Sequence, residues 1–374
     1  MMLRTRTART WLAVAAVTGL ACAGALVPGV AWAGTPLSTP NDTTSNTDGI
    51  ADPGVLRDPA TSQFVSLSTG GSGRVWTAAD AGGPWTKVRS NALSSWPSWA
   101  DSSQAVWAPS EIELNSGSHS GQYVMFFSAV RSTGPSPKRC IGVAIGDSAT
   151  GPFAPERDSP LVCPGGSLVA DPVPEAPDSS EGVIDPTPRY LWHDGTQGLY
   201  LTYKTTGIPS SIQLVRLNID SGASDILGSS HELIQDNGNN QENPILVQRG
   251  GSAGSDGTFT LFTSKGNYHS CDNYATYWRN SASLWNWGNV AGTELRFPSG
   301  AVTCGQGDAD IVPGLPANSW RIFFSAHWEP GKTYEQAVAA NGGSSSPWPF
   351  HLYVGALVWN GDTPSVSNLV ASGG

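Results

Sequence analysis

Gln122-Tyr123-Val124-Met125-Phe126-Phe127 is an apolar, aromatic-rich run with the composition of a buried β-strand, and the chain repeats its texture four more times. The other copies are Gln63-Phe64-Val65-Ser66-Leu67, Leu199-Tyr200-Leu201-Thr202-Tyr203, Thr258-Phe259-Thr260-Leu261-Phe262 and Trp320-Arg321-Ile322-Phe323-Phe324. Their starts near 63, 122, 199, 258 and 320 lie 59, 77, 59 and 62 residues apart. Five similar strands at such intervals suit successive blades of a radially repeated sheet. A blade of four strands needs roughly 40–50 residues, so longer loops must take up the remainder. The expected fold is all-β, a five-bladed β-propeller. A jelly-roll sandwich is the competing architecture, and it predicts no fivefold spacing.

Composition points the same way. Among 374 residues there are 44 Gly and 28 Pro, a load that long helices cannot absorb. Helical bundles and coiled coils are excluded. A 39% share of hydrophobic residues with 15 Trp is too apolar for a disordered chain. The formal net charge of −10 and the low charged fraction of 13% leave no basic field for phosphates, so nucleic acid is not an expected partner.

Arg4, Arg6 and Arg9 precede a mostly apolar run from Trp11 to about Val30, and Ala31-Trp32-Ala33 then supplies a small-x-small cleavage pattern. Residues 1–33 read as a signal peptide, 34–47 as a flexible leader and 48–374 as one domain. The expected location is secreted and extracellular, as a monomer with no membrane contact after cleavage. An uncleaved anchor is the alternative. A lipoprotein would use Cys22, but Gly19 stands where a lipobox wants Leu. The exported chain keeps Cys140, Cys163, Cys271 and Cys304, which suggests two disulfides with three possible pairings. Local pairing favours Cys140–Cys163 and Cys271–Cys304. No Cys/His spacing suggests a structural zinc site.

Asp-Pro recurs at Asp52-Pro53, Asp58-Pro59, Asp171-Pro172 and Asp185-Pro186. Taken singly, each reads as a turn at a strand start with a solvated carboxylate. Asp52 and Asp185, however, directly follow short apolar segments, and inner strands of a propeller would point both at the central axis. Three further segments accompany them in order: Trp107-Ala108-Pro109, Gln241-Glu242-Asn243-Pro244-Ile245-Leu246-Val247, and Phe262-Thr263-Ser264-Lys265-Gly266-Asn267-Tyr268. Together the five segments resemble glycoside hydrolase family 43. The likeness spans roughly residues 48–330 and looks nearest to the secreted arabinanase-like members. Those carry a similar run to Cys140-Ile141-Gly142-Val143-Ala144, Gly151-Pro152-Phe153 and Cys163-Pro164, which gives separate support to the first disulfide.

The resemblance implies a five-bladed propeller that hydrolyses arabinose- or xylose-containing plant polysaccharides with inversion. It implies Asp52 as the general base activating water and Glu242 as the general acid protonating the leaving oxygen. Asp185 becomes the third acid, which keeps Glu242 protonated and oriented. Base and acid must titrate apart, and a neighbouring negative charge achieves this. Inversion also needs the two carboxyls about 6.5–9.5 Å apart, with room for water. Trp107, Tyr268, His327 and Trp328 are candidate sugar contacts through their ring faces and edges. The chemistry requires no cofactor.

Two departures stand out. Asn243 occupies a position where the family has a small residue, and would either narrow the leaving-group side or point to a misassigned Glu242. Gly305-Gln306-Gly307-Asp308-Ala309-Asp310 replaces a Gly-Pro-Gly-rich axial segment whose His often serves a central metal. A structural calcium at Asp308 is the alternative reading there, since carboxylate oxygen suits that ion.

Glu175, in Glu175-Ala176-Pro177, matches the acid motif in wording but precedes Asp185, whereas the acid should follow it by some fifty residues. Asp171 competes with Asp185 and loses because a hairpin pattern follows Asp185. Arg57-Asp58-Pro59 imitates a motif of retaining fructosidases, which place it far downstream of the first Asp. The leading function is hydrolysis of α-L-arabinofuranosidic bonds. A β-xylosidase on the same scaffold and a non-catalytic sugar-binding propeller are the alternatives.

Overall fold

Each run quoted above is the second strand of a four-stranded antiparallel sheet, and the five sheets are the blades of a β-propeller. The structure is a computed structural model that describes residues 50–132, 138–164, 182–207, 209–236, 240–268, 273–288, 291–298, 304–313, 319–327 and 350–369. Blade 1 comprises β1 (Gly54–Arg57), β2 (Phe64–Ser68), β3 (Arg74–Ala78) and β4 (Thr86–Arg89). Blade 2 comprises β5 (Trp107–Glu113), β6 (Tyr123–Val130), β7 (Arg139–Gly146) and β8 (Ala154–Pro155). Blade 3 holds β9 (Val183–His193), β10 (Thr196–Thr205), β11 (Ser210–Leu217) and β12 (Ile226–Asp236). Blade 4 holds β13 (Gln241–Arg249), β14 (Thr258–Gly266), β15 (Tyr274–Ser281) and β16 (Thr293–Glu294). Blade 5 holds β17 (Cys304–Pro313), β18 (Trp320–His327), β19 (Phe350–Asn360) and β20 (Thr363–Leu369). Strand order within every blade follows the chain. Turn chemistry enforces that order. At the β9–β10 hairpin, Asp194 and Gly195 adopt φ of 50° and 73°, the left-handed pair that a tight hairpin turn demands.

Five apolar clusters fill the five seams between neighbouring blades. Val65, Leu67, Met125 and Phe127 pack between blades 1 and 2, and Val124, Phe126, Leu201 and Val215 between blades 2 and 3. Leu214, Leu246, Phe259 and Trp287 join blade 3 to blade 4, while Phe262, Ile311, Phe324 and Tyr353 join blade 4 to blade 5. Ring closure falls to the seam between the first and last blades. There Phe323 meets Trp85 edge-on at 6.0 Å and Phe64 at 5.7 Å between ring centroids. Since Phe323 is fully buried, Phe323→Ala should cost about 3–5 kcal/mol. A urea midpoint unchanged from wild type would mean that this seam does not hold the ring shut.

One sequence expectation changes here. Asp58 is not a solvated strand-start carboxylate. It lies past the end of β1, is 5% exposed, and accepts hydrogen bonds from the Tyr123 hydroxyl at 2.5 Å and the Ala60 N–H at 3.0 Å. It therefore ties blade 1 to blade 2. Cys140 and Cys163 are joined in a disulfide. The signal peptide and leader, Cys22, Asp171, Glu175, Cys271 and Trp328 lie outside the described residues. Cys304 and His327 are described only as members of their strands.

Candidate active site

One backbone feature recurs at the same place in all five blades. On each innermost strand two residues face a single partner residue, a β-bulge whose first residue has positive φ. In blades 2 to 5 the pairs are Ala108-Pro109, Asp185-Pro186, Asn243-Pro244 and Asp308-Ala309, seen as skipped positions in the ladder register. In blade 1 the Thr69 N–H to Ala51 carbonyl bond closes the same loop around Asp52-Pro53. The φ values are 50° at Asp52, 40° at Ala108, 58° at Asp185, 51° at Asn243 and 45° at Asp308. Asp and Asn tolerate this left-handed region better than other residues with a side chain. Proline at the second position suits the missing ladder bond. Bulges re-aim side chains, and repetition around the ring turns five of them toward one axis.

The bulges meet around a small central pocket. Its walls include Asp52, Pro109, Pro186, Asn243 and Ala309, one from each blade. Asp310 pins this centre: it accepts from the Val55 N–H at 2.7 Å and from Arg189, joining blade 5 to blades 1 and 3.

Asp52 accepts a hydrogen bond from the Thr69 hydroxyl, and Thr69 in turn accepts one from the Ala108 N–H at 2.9 Å. Burial pushes the Asp52 carboxyl up, as does the charge of Glu242, while the Thr69 and Asp308 hydrogen bonds and the Arg139 charge pull it down. Asp185 accepts the Asn243 N–H at 2.9 Å, so it fixes the backbone immediately after Glu242. Its carboxyl is pushed up to about 7, by burial first and the Glu242 charge second. Asn243 is itself a wall of the central pocket. Its side-chain amide donates to the Ala309 carbonyl at 2.9 Å, and the residue type suits its φ.

Glu242 sits among groups that its sequence motif did not announce. Its Oε2 accepts from Lys204 Nζ at 3.0 Å and Asn240 Nδ2 at 2.9 Å, and its Oε1 lies 2.9 Å from the Tyr274 hydroxyl. Tyr274 also reaches Asp308. Lys204 directly follows the quoted β10 run, yet nothing in that run marks which face it takes. Tyr274 follows a loop from the far end of β14, so no spacing rule links it to Glu242.

Trp107 is 43% exposed, and the Arg139 guanidinium lies 3.4 Å from its ring centroid. Arg139 donates to the Ala105 carbonyl at 3.1 Å. Burial pulls its guanidinium down to about 10 against the opposing charges of Asp185 and Asp52. One face of Trp107 is thus covered by the cation. Tyr268 is 37% exposed beyond the end of β14.

Calcium takes six to eight oxygen ligands in an open cage. The Asp308 carboxyl is instead engaged by the Tyr274 phenol. Among the described residues, His193, Asp194 and Asp256 form the grouping whose ligand atoms approach one another closely, but both His193 ring nitrogens are held, by Asp256 at 2.8 Å and Trp285 at 2.9 Å. Among the described residues, those around Asp308 form no such cage.

No family model and no curated protein sequence matches the chain. Solved structures do match in fold. A family-43 endo-arabinanase from Bacillus licheniformis is 20% identical with a TM-score of 0.57, over 87% of this chain and 99% of that one. The α-L-arabinanase of Cellvibrio cellulosa, solved with arabinohexaose, is 16% identical with a TM-score of 0.58, over 85% and 95%. An endo-1,4-beta-xylanase from Bacteroides thetaiotaomicron is 16% identical with a TM-score of 0.60, over 87% and 97%. The fold is that of the family-43 glycoside hydrolase structures.

Proposed function

We propose that the protein is a secreted, monomeric glycoside hydrolase that cleaves α-L-arabinofuranosidic bonds of plant cell-wall polysaccharides with inversion. The observation that carries this reading is the placement of Asp52, Asp185 and Glu242. They come from three different blades, two at the first position of the repeated bulge and the third directly before it. Asp52, beside the Thr69 hydroxyl, takes a proton from the water that attacks the anomeric carbon. Glu242 gives its proton to the departing glycosidic oxygen. Asp185 acts through the backbone: its bond to the Asn243 N–H holds Glu242 in place. Dividing the work between two carboxyls in unlike surroundings is what acid–base catalysis at one pH requires. The uncovered face of Trp107 offers a stacking platform for a sugar ring. Export is supported by the Arg4, Arg6, Arg9 cluster, the apolar run behind it and Ala31-Trp32-Ala33.

Arabinose is favoured over xylose by the likeness of the Cys140–Pro164 segment to arabinanase-like sequences, while a xylanase shares the fold. Nitrophenyl α-L-arabinofuranoside, β-xyloside and galactofuranoside, assayed side by side with arabinan, separate these readings. The expected result is release from the arabinofuranoside and arabinan. Hydrolysis of the xyloside alone would move the specificity, and binding of arabinan without hydrolysis would make the protein a sugar-binding propeller.

A further inference from the structure

Trp107 directly precedes the second-blade bulge, as Glu242 directly precedes the fourth-blade bulge. The repeat thus gives the indole the same station on its strand that the proposed acid has two blades on. Arg139, the first residue of β7, grips that station from two sides. Its Nη1 donates to the Ala105 carbonyl at 3.1 Å and to the Ser128 carbonyl at 3.3 Å. Ala105 lies two residues before Trp107, and Ser128 stands opposite Trp107 in the β5–β6 ladder. The same guanidinium lies 3.4 Å from the centre of the indole ring. Only 9% of Arg139 is exposed against 43% of Trp107, so the cation is the buried member of the stack and the indole its open one.

We propose that Arg139 is a positioning residue that holds the Trp107 indole as a fixed platform for a sugar ring. The proposal rests on the hydrolase reading for the identity of its ligand, an arabinofuranosyl chain. A guanidinium is flat, stays charged and lies well on an aromatic face, whose quadrupole attracts it. The backbone of Arg139 is itself tied down. It pairs with Val130 of β6, forms a parallel bridge to Gly182, and is followed by Cys140 of the disulfide. At Gly182, with φ of 124°, a Cβ would collide with the Arg139 backbone. A loose indole must be ordered each time a sugar docks, and ordering a side chain costs binding free energy. Fixing the ring beforehand removes that cost, and it gives the buried cation beneath a half-exposed ring a use beyond packing.

Calorimetry with an arabino-oligosaccharide tests the role through a double-mutant cycle. Arg139→Met should weaken binding about threefold to tenfold, the cost of ordering one side chain, and KM should rise more than kcat falls. Trp107→Ala should weaken binding too, and adding Arg139→Met to Trp107→Ala should cause no further loss. Arg139→Lys keeps the charge but not the flat fork, so it should fall between wild type and Arg139→Met. It carries the cycle if Arg139→Met does not fold. Losses that add in the double variant would mean that Arg139 acts apart from the indole, and would overturn the proposal. So would a wild-type protein that binds neither arabino- nor xylo-oligosaccharide. A second arm needs no sugar. In protein labelled with 5-fluorotryptophan, the Trp107 fluorine signal is identified by its absence in Trp107→Phe. That signal should move and broaden or split in Arg139→Met, while the other indole signals stay in place. A Trp107 signal unchanged in position and width would mean that the ring is held without Arg139. The two readings fail separately. Binding that obeys the cycle without hydrolysis keeps the platform and removes the enzyme, and hydrolysis with additive losses keeps the enzyme and removes the platform.

Discussion

Asp52→Asn should fold normally, bind arabino-oligosaccharides and turn them over several orders of magnitude more slowly than wild type. General acid–base steps contribute about 10²–10⁴-fold, and an amide cannot take a proton from water. The structure explains why folding should survive. The Thr69 hydroxyl that donates to Asp52 can donate equally to the oxygen of an amide, so the link onward to the Ala108 N–H at 2.9 Å is preserved. Asn is also a residue that tolerates the φ of 50° found there. The check is kcat on arabinan alongside binding of an arabino-oligosaccharide by calorimetry. Near-wild-type turnover would remove Asp52 from the mechanism.

Glu242→Gln should show a loss that depends on the leaving group. Arabino-oligosaccharides have poor leaving groups and need protonation, so their hydrolysis should collapse. Aryl arabinofuranosides with acidic phenols need little protonation and should lose far less. The alkaline limb of the pH–rate profile, which reports the proton of the acid, should disappear as well. Glutamine keeps an acceptor oxygen for Lys204 and Asn240, now at 3.0 and 2.9 Å from Glu242 Oε2, so the surrounding contacts need not collapse. Equal losses on both substrate types, with the alkaline limb intact, would make Glu242 a binding residue. Glu175→Gln is the control, and a leaving-group-dependent loss there would transfer the role to Glu175.

The fold was legible because the second strand of each blade is buried on both faces and so stands out as an uninterrupted β-rich run. Phe64–Ser68, Tyr123–Val130 and Thr258–Gly266 are examples. The innermost strands were harder to see, since their signature is a kink and not a run. Asp52-Pro53, Ala108-Pro109, Asp185-Pro186, Asn243-Pro244 and Asp308-Ala309 are one repeat, yet only the Asp-Pro members are conspicuous as text. Aligning the five would have shown that Asn243 fills a position requiring left-handed backbone, where Asn is an apt residue. It would also have set Asp308 beside Asp52 and Asp185. Asp58-Pro59 has the same wording without the position, and its carboxylate serves a blade seam.

Lys204, Tyr274, Thr69 and Arg139 were not legible at all. Lys204 lies on β10, Arg139 and Tyr274 start β7 and β15, and Thr69 follows β2, and nothing local marks these positions as neighbours of the carboxylates. Lys204 lies 38 residues from Glu242 and Tyr274 lies 32, separations set by loop lengths that no local pattern fixes. The side-chain partner of Asn243 is equally hidden, since Ala309 is 66 residues away on another blade.

The stereochemistry of the first product tests the central assignment most directly. Proton NMR of arabinan or an arabino-oligosaccharide, recorded within the first minutes of hydrolysis by the wild-type protein, distinguishes the anomers before they equilibrate. If Asp52 activates water while Glu242 protonates the leaving oxygen in a single displacement, β-arabinofuranose ends appear first and the α-anomer grows in by mutarotation. Initial appearance of the α-anomer would require a covalent intermediate and a nucleophilic carboxylate, contradicting the assignment of Asp52 as a base.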